Sequence, residues 1–244
     1  MFYFKVKKLI PILISFKKIL ASLGALKKCC FSYLKKKMIL LSLSQKRNKS
    51  HTFTTYKENI MSLTPSTMLP LGTKAPDFNL LDTASSQMRN LNELKGSKGT
   101  VVMFICNHCP FVLHINEELV RVANDYRVTG FHFIAISSND AVNYPQDGPD
   151  LMRQNAGDHD YPFPYLYDAT QEVAKAYDAA CTPDLYLFDA SLQLVYRGQL
   201  DDSRPGNGVP LTGRSLREAI DALLGNKQVP QPQKPSMGCN IKWK

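Results

Sequence analysis

Between residues 71 and 228 the apolar positions change period abruptly, and each change marks an element. Thr100-Val101-Val102-Met103-Phe104-Ile105 is continuous, apolar and partly β-branched, which predicts a strand buried on both faces. It stops at Cys106. Past Pro110, the residues Val112, Ile115, Leu119, Val122 and Tyr126 stand three and four apart, one face of an amphipathic helix, and Gly130 is its C-terminal stop. Residues 131–137 form another apolar strand. A polar connection rich in Asp and Asn follows, with a helix expected around 150–156, a short strand over 163–167 and a short helix over 172–177. Residues 184–189 and 193–198 are two strands joined at Ala190-Ser191, hence a hairpin. Leu216, Ala219, Ile220 and Leu223 mark a last helix. Upstream, 75–80 reads as a short opening strand, 90–94 as an irregular piece and 96–99 as a turn. From Val229 a tail rich in Pro, Gln and Lys is expected to run extended over the surface. Strands alternating with helices, then a hairpin and a helix, predict an α/β fold with a mixed central sheet and helices on both faces. There is no internal repeat and no second core.

Charge divides the chain. Residues 1–60 hold 14 Lys/Arg and one acidic residue, Glu58, a net of +13, whereas residues 61–244 hold the other 16 Lys/Arg against 20 Asp/Glu, a net of −4. The formal +9 of the whole chain is therefore no sign of a polyanion-binding face, and nucleic acid is not expected as a partner. Within residues 1–60, short apolar runs alternate with lysine clusters, and none reaches the roughly 18 apolar residues a membrane span needs. The lysine pairs rotate around a helix instead of sharing a face, so no membrane-surface helix is expected either. The pattern fits neither a secretory signal nor an arginine-rich transit peptide. Lys57-Glu58 can be encoded as a bacterial ribosome-binding sequence just ahead of Met61, so the expectation is a domain that starts at Met61. On that reading residues 1–60 are translated upstream DNA and the protein is cytoplasmic. A genuine targeting or anchoring segment is the alternative. The domain is expected over 61–228, with 229–244 as a tail carrying Cys239.

Six cysteines, at 29, 30, 106, 109, 181 and 239, are too few and too unevenly spaced for a disulfide-stapled scaffold. Cys106-Asn107-His108-Cys109 at a strand-to-helix junction reads as redox chemistry. Placed at or next to the helix N-cap, Cys106 would meet unpaired N–H groups and the positive end of the dipole, which favour a thiolate. Cys109 would be the enclosed, resolving thiol, and a protonated His108 would add positive charge beside Cys106. Such stabilisation makes the disulfide more oxidising. Pro110 suits the first helical turn. The competing readings are half of a zinc site, completed from His108, His114, Cys181 or Cys239, and a pair of inert buried thiols. No second C-x-x-C or H-x₃-H accompanies the motif, so no metal is expected.

Thr182-Pro183 opens the strand at Asp184, some seventy residues beyond the C-x-x-C. Here the arrangement resembles the thioredoxin superfamily. The resemblance implies a cis proline facing the dithiol, with Thr182 pairing an extended substrate and Pro183 shielding the sulfurs. Gly72-Thr73-Lys74-Ala75-Pro76-Asp77-Phe78 and the extra βα piece before Asp184 are similar to the alkyl hydroperoxide reductase/thiol-specific antioxidant group. Residues 71–244 resemble a peroxiredoxin-like family carrying Cys-Asn-His-Cys-Pro-Phe-Val, Cys-Thr-Pro-Asp, Asp-Asp-Ser-Arg-Pro-Gly-Asn and a Gly-Cys-Asn-Ile-Lys-Trp-Lys end. The implied fold is thioredoxin-like with a peroxiredoxin-type βα insertion. Two departures stand out. The Pro and Thr that peroxiredoxins place seven and three residues before their reactive cysteine are Gly99 and Met103 ahead of Cys106, and Val102 and Cys106 ahead of Cys109. The Trp and buried acid of thioredoxin, one and six before its first cysteine, are Ile105 and Thr100.

Three functions remain open. The first is a thiol–disulfide oxidoreductase cycling Cys106 and Cys109, with no cofactor beyond that disulfide. Its partners would be protein or small-molecule thiols and disulfides, and a reductant such as thioredoxin or glutathione. The second is a thiol peroxidase whose Cys106 is oxidised to a sulfenic acid. The third is a metal-binding module without turnover. Cys181 and Cys239 are candidate accessory thiols. Cys181 is expected as a small buried hydrophobe sooner than as a third redox centre, and Cys239 lies in a tail that either merely packs or supplies a relay or resolving thiol. The loop residue Arg204 is given no role, and His114 is expected at the surface.

Overall fold

The computed structural model describes residues 63–244, so the expectations for residues 1–60 lie outside the described residues. A short strand β1 (Leu63–Pro65) precedes an antiparallel hairpin, β2 (Asn79–Asp82) and β3 (Gln87–Asn90), and one helical turn, α1 (Leu91–Leu94). The sequence pattern put a strand four residues early, at 75. Asp82 decides the difference. Its carboxylate accepts from the Ala84 and Ser85 amides and the Ser85 hydroxyl, and so folds the chain back immediately after β2.

Then comes the centre of the fold. Strand β4 (Gly99–Phe104) is buried along its whole length, as its unbroken apolar run predicts. It runs parallel to β5 (Phe131–Ser137) on one side and antiparallel to β8 (Asp184–Asp189) on the other. Between β4 and β5 lies α2 (Pro110–Arg127), whose Val112, Ile115, Leu119 and Val122 are buried. Gly130, with φ at +96°, reverses the chain after it. The insertion after β5 carries a 3₁₀ turn (Pro145–Asp147), α3 (Pro149–Asp158), β6 (Tyr165–Tyr167) and α4 (Glu172–Ala176). The two-residue strand β7 (Cys181–Thr182) leads into β8, β9 (Leu194–Gly198) and α5 (Arg214–Leu224), and β10 (Met237–Asn240) ends the chain.

The main sheet has the order β3-β2-β6-β5-β4-β8-β9, and β1-β10-β7 form a second, three-stranded sheet. Alternation along β4 feeds two cores. Val101 and Met103 pack with Leu119, Val122, Leu216 and Ile220 beneath α2 and α5. Val102 and Phe104 pack with Ile134, Leu166, Tyr177 and Tyr186 on the other face. Each such side chain, fully buried, contributes roughly 1.5–3 kcal/mol of transfer free energy. The expected mixed sheet with helices on both faces is the observed one.

The C-terminal tail corrects the sequence reading. Instead of wrapping the surface, β10 lies between β1 and β7, with Cys239 and Ile241 buried. Registry sets Cys239 opposite Thr182 and Asn240 opposite Cys181. Beyond β10, Asn139 accepts from the Lys242 amide, and the Lys242 carbonyl accepts from Asp140 N–H.

Candidate redox site

The buried strand β4 delivers Cys106 two residues past its end. Cys106 is 3% exposed, and Cys109 is fully buried behind it. The helix does not begin at Cys106, where the sequence reading put the cap. It begins at Pro110, and Cys109 is the N-cap. Pro110 occupies the first helical position, as the sequence reading expected, and so assigns the cap to the residue before it.

The neighbouring sulfurs dominate the electrostatics. Cys109 is pushed far below the ordinary thiol range, by its hydrogen bonding with the Cys106 and Cys239 side chains and then by the Val112 N–H, against the cost of burial. Cys106 is pushed up, first because it is hydrogen-bonded to Cys109, then by burial and by the negative charge of Asp147. The inner sulfur is therefore favoured over the outer one for carrying negative charge. The thiol expected to be acidic, Cys106, is the one pushed up, and Cys109 is the one pushed down.

Thr182 and Pro183 join the site as the sequence expected, and the peptide bond between them is cis. Thr182 Oγ1 lies 3.4 Å from Cys106 Sγ, and the Thr182 carbonyl accepts from Cys109 Sγ at 3.1 Å. One edge of β7 is already paired, by the chain's own β10. Behind the proline, the fully buried Asp184 accepts from Ser66 Oγ at 2.8 Å and from the guanidinium of fully buried Arg197 at 3.2 Å, and Arg197 stacks on Tyr186. This ion pair fixes the start of β8 beneath the dithiol.

The accessory cysteines separate. Cys239 joins the site, with its Sγ 2.8 Å from Cys109 Sγ. Its thiol is raised by that hydrogen bond and by burial. Cys181 points elsewhere, toward the Pro183 carbonyl at 3.5 Å, and burial raises its thiol. It is a packed hydrophobe.

His108 is in the site, and it brings a residue that sequence reasoning missed. Its Nδ1 lies 2.7 Å from Asp147 Oδ2, though out of hydrogen-bond alignment, and its ring stacks on Tyr144 with centroids 5.6 Å apart. Fully buried Asp147 also accepts from Asn107 N–H and from the Asn139 amide, both at 2.8 Å. A buried acid is thus brought to the motif from the 3₁₀ turn of the insertion. Thr100 instead caps the Gly96 amide. Nothing in the Asp- and Asn-rich stretch singles out Asp147, since only folding brings it forty residues back to the motif.

Among the described residues, Cys106, His108 and Asp147 form the one group able to hold a metal ion, their ligand atoms lying within 4.8 Å of one another. Asp147 is poorly disposed for it, as both its oxygens already accept from protein donors. Beside Pro183 a shallow groove is lined by Phe111, His114, Leu200, Arg204 and Met237. Arg204 is an anchor for its loop, donating to the Asp201 and Ser203 carbonyls and to Gln199. His114 contacts Ser203 Oγ at 2.8 Å, tying α2 to the same loop.

A C-x-x-C entering a helix beneath an x-cis-Pro, on a sheet of this order, defines a thioredoxin-like redox protein. The AhpC/TSA family profile matches residues 71–197, and the chain belongs to that family. It is 59% identical to an uncharacterized conserved protein from Geobacillus kaustophilus, over 75% of this chain and 97% of that one, with a TM-score of 0.75. A hypothetical protein from Sinorhizobium meliloti 1021 is 49% identical over 74% and 98%, with a TM-score of 0.73. A candidate protein disulfide isomerase from Bacteroides thetaiotaomicron, 18% identical over 68% and 95% with a TM-score of 0.50, shares the fold. No curated protein matches the chain.

Proposed function

We propose that the protein is a thiol–disulfide oxidoreductase that cycles Cys106 and Cys109 between dithiol and disulfide. The supporting observation is the pairing of a marginally accessible sulfur, Cys106, with a buried, anion-stabilised one, Cys109, beneath the cis Thr182-Pro183 bond. Transfer of the Cys106 proton to Cys109 frees the outer sulfur to attack a substrate disulfide. A Cys106–substrate bond forms, and the other substrate sulfur leaves as a thiolate. Cys109 then attacks Cys106, closing the Cys106–Cys109 disulfide, and its proton passes to the departing substrate sulfur. His108, held beside Cys106 by Asp147 and Tyr144, stabilises the attacking thiolate when protonated. The Pro183 groove, with Phe111 and Leu200, offers an apolar seat for the polypeptide flanking a substrate disulfide. A thiol reductant, of the thioredoxin or glutathione kind, returns the site to the dithiol.

The test is reduction of insulin or a small aromatic disulfide by the full-length chain. Cys106→Ser should abolish turnover, and Cys109→Ser should accumulate the mixed disulfide with substrate. Undiminished turnover in Cys106→Ser would sink the proposal. Hydroperoxide consumption that vanishes in Cys106→Ser, without disulfide reduction by the wild type, would move the assignment to a thiol peroxidase.

A further inference from the structure

We propose that Cys239 is a third redox thiol of the site, which takes over the disulfide from Cys106 so that the oxidised protein stores it internally as Cys109–Cys239. The inference rests on the oxidoreductase reading above and extends it.

Three independent features of the fold carry it. The first is contact. Cys109 is the middle sulfur, hydrogen-bonded to Cys106 on one side and 2.8 Å from Cys239 on the other. The second is registry. Antiparallel pairing of β10 with β7 sets Cys239 opposite Thr182, the residue that contacts both Cys106 and Cys109, so the strand aims the sulfur at the dithiol. The third is the close approach that makes this possible. At Gly238 a Cβ would stand 2.0 Å from the Thr182 carbonyl oxygen and 2.7 Å from its carbon, so only glycine lets β10 seat at this depth. Around it the strand is clamped. The Ser236 hydroxyl donates to the Gly198 carbonyl at 2.8 Å, Ile241 is buried, and the Lys242 amide is held by Asn139.

The exchange balances without an added oxidant. After substrate reduction the site holds a Cys106–Cys109 disulfide and a Cys239 thiol. Cys239 attacks Cys109 Sγ, the Cys109–Cys239 bond forms, the Cys106–Cys109 bond breaks and Cys106 leaves as a thiolate. The Cys239 proton passes to Cys106, and no net electrons move. The groups facing Cys239 are consistent with this order. Its thiol is raised chiefly by the hydrogen bond to Cys109 and by burial, while Lys242 lowers it. Once Cys109 is bonded to Cys106 it is neither a thiol nor a thiolate, and the largest of these restraints is gone. The result is a protein that has accepted two oxidising equivalents yet presents its outermost sulfur, Cys106, as a thiol again. An external thiol reductant later reduces Cys109–Cys239 and restores all three thiols.

The test is thiol mapping of the full-length chain after equilibration with graded oxidised and reduced glutathione. Samples are acid-quenched, denatured, alkylated and read by peptide mass spectrometry. Wild type should lose label from Cys109 and Cys239 together while Cys106 stays labelled, with Cys109–Cys239 the major disulfide. Cys239→Ser should hold Cys106–Cys109 instead, and Cys106→Ser should still form Cys109–Cys239. A wild type that shows only Cys106–Cys109, with Cys239 labelled at every ratio, overturns the relay and leaves the oxidoreductase reading standing. A protein that keeps all three thiols at every ratio overturns both. Because wild type alone separates these outcomes, a variant that fails to fold does not blur them.

Discussion

Replacing Gly238 by alanine tests how the C-terminal strand is seated. The added Cβ lies 2.0 Å from Thr182 O, 2.7 Å from Thr182 C and 3.2 Å from Pro183 Cδ. Two of those atoms are backbone, so no rotamer change relieves the clash. Restoring ordinary van der Waals separation, ~3.5 Å for heavy-atom pairs, requires β10 and β7 to part by more than about 1 Å. Cys239 travels with its strand, which lengthens the 2.8 Å Cys109–Cys239 contact and weakens it. Overpacking of this kind costs about 1–3 kcal/mol, and a backbone clash belongs at the upper end. At roughly 2–4 °C per kcal/mol for a domain of this size, Gly238→Ala should melt about 6–12 °C below wild type. The assay is thermal and urea unfolding under reducing conditions, where no disulfide contributes, with the urea midpoint expected to fall at constant m. Thiol mapping of the same variant should show Cys109–Cys239 reduced and Cys106–Cys109 gained. Wild-type stability together with wild-type trapping would refute the argument that Gly238 is what admits Cys239 to the site.

Two other perturbations probe the supports of the site. Arg197→Met leaves Asp184 buried without its cation and should cost about 3–5 kcal/mol in urea unfolding. Arg197→Met combined with Asp184→Leu should recover most of that, since an apolar replacement of a buried pair is often near neutral; a single variant of wild-type stability contradicts it. Asp147→Asn, made in a Cys109→Ser background so that Cys106 titrates alone, removes a negative charge that raises Cys106, so the pH midpoint of its iodoacetamide alkylation should fall. A midpoint that rises instead would mean that Asp147 acts mainly by keeping His108 in place.

Local pattern made the centre of this site readable. The unbroken apolar run of β4 and the 3-4-3-4 spacing of α2 each depend on neighbours within one element. Together they located the strand-to-helix junction and the C-x-x-C upon it. The spacing to Thr182-Pro183 then carried a resemblance whose cis bond and proximity to the dithiol the structure bears out. Where local reading erred, a nearby side chain had overridden the pattern, as Asp82 did in turning β2, or two readings had not been reconciled, as with a cap near Cys106 and Pro110 in the first helical turn. The stabilised sulfur is Cys109 and not Cys106, chiefly because Cys109 lies between the sulfurs of Cys106 and Cys239.

The sequence by itself determined the fold class, both sulfurs of the dithiol, His108 and the Thr182-Pro183 wall, because each is encoded by short-range spacing or by a residue type with few conformational options. Only the tertiary structure decided that Asp147 lies beside His108, that Arg197 pairs with Asp184 below the proline, and that Cys239 lies against Cys109 whereas Cys181 does not. Those facts depend on contacts between residues 13 to 130 positions apart, set by strand registry and by which buried charges and sulfurs find partners. A one-residue slip of β10 would exchange the faces of Cys239 and its neighbours, and no local pattern in that tail fixes its register. Packing against Thr182 does.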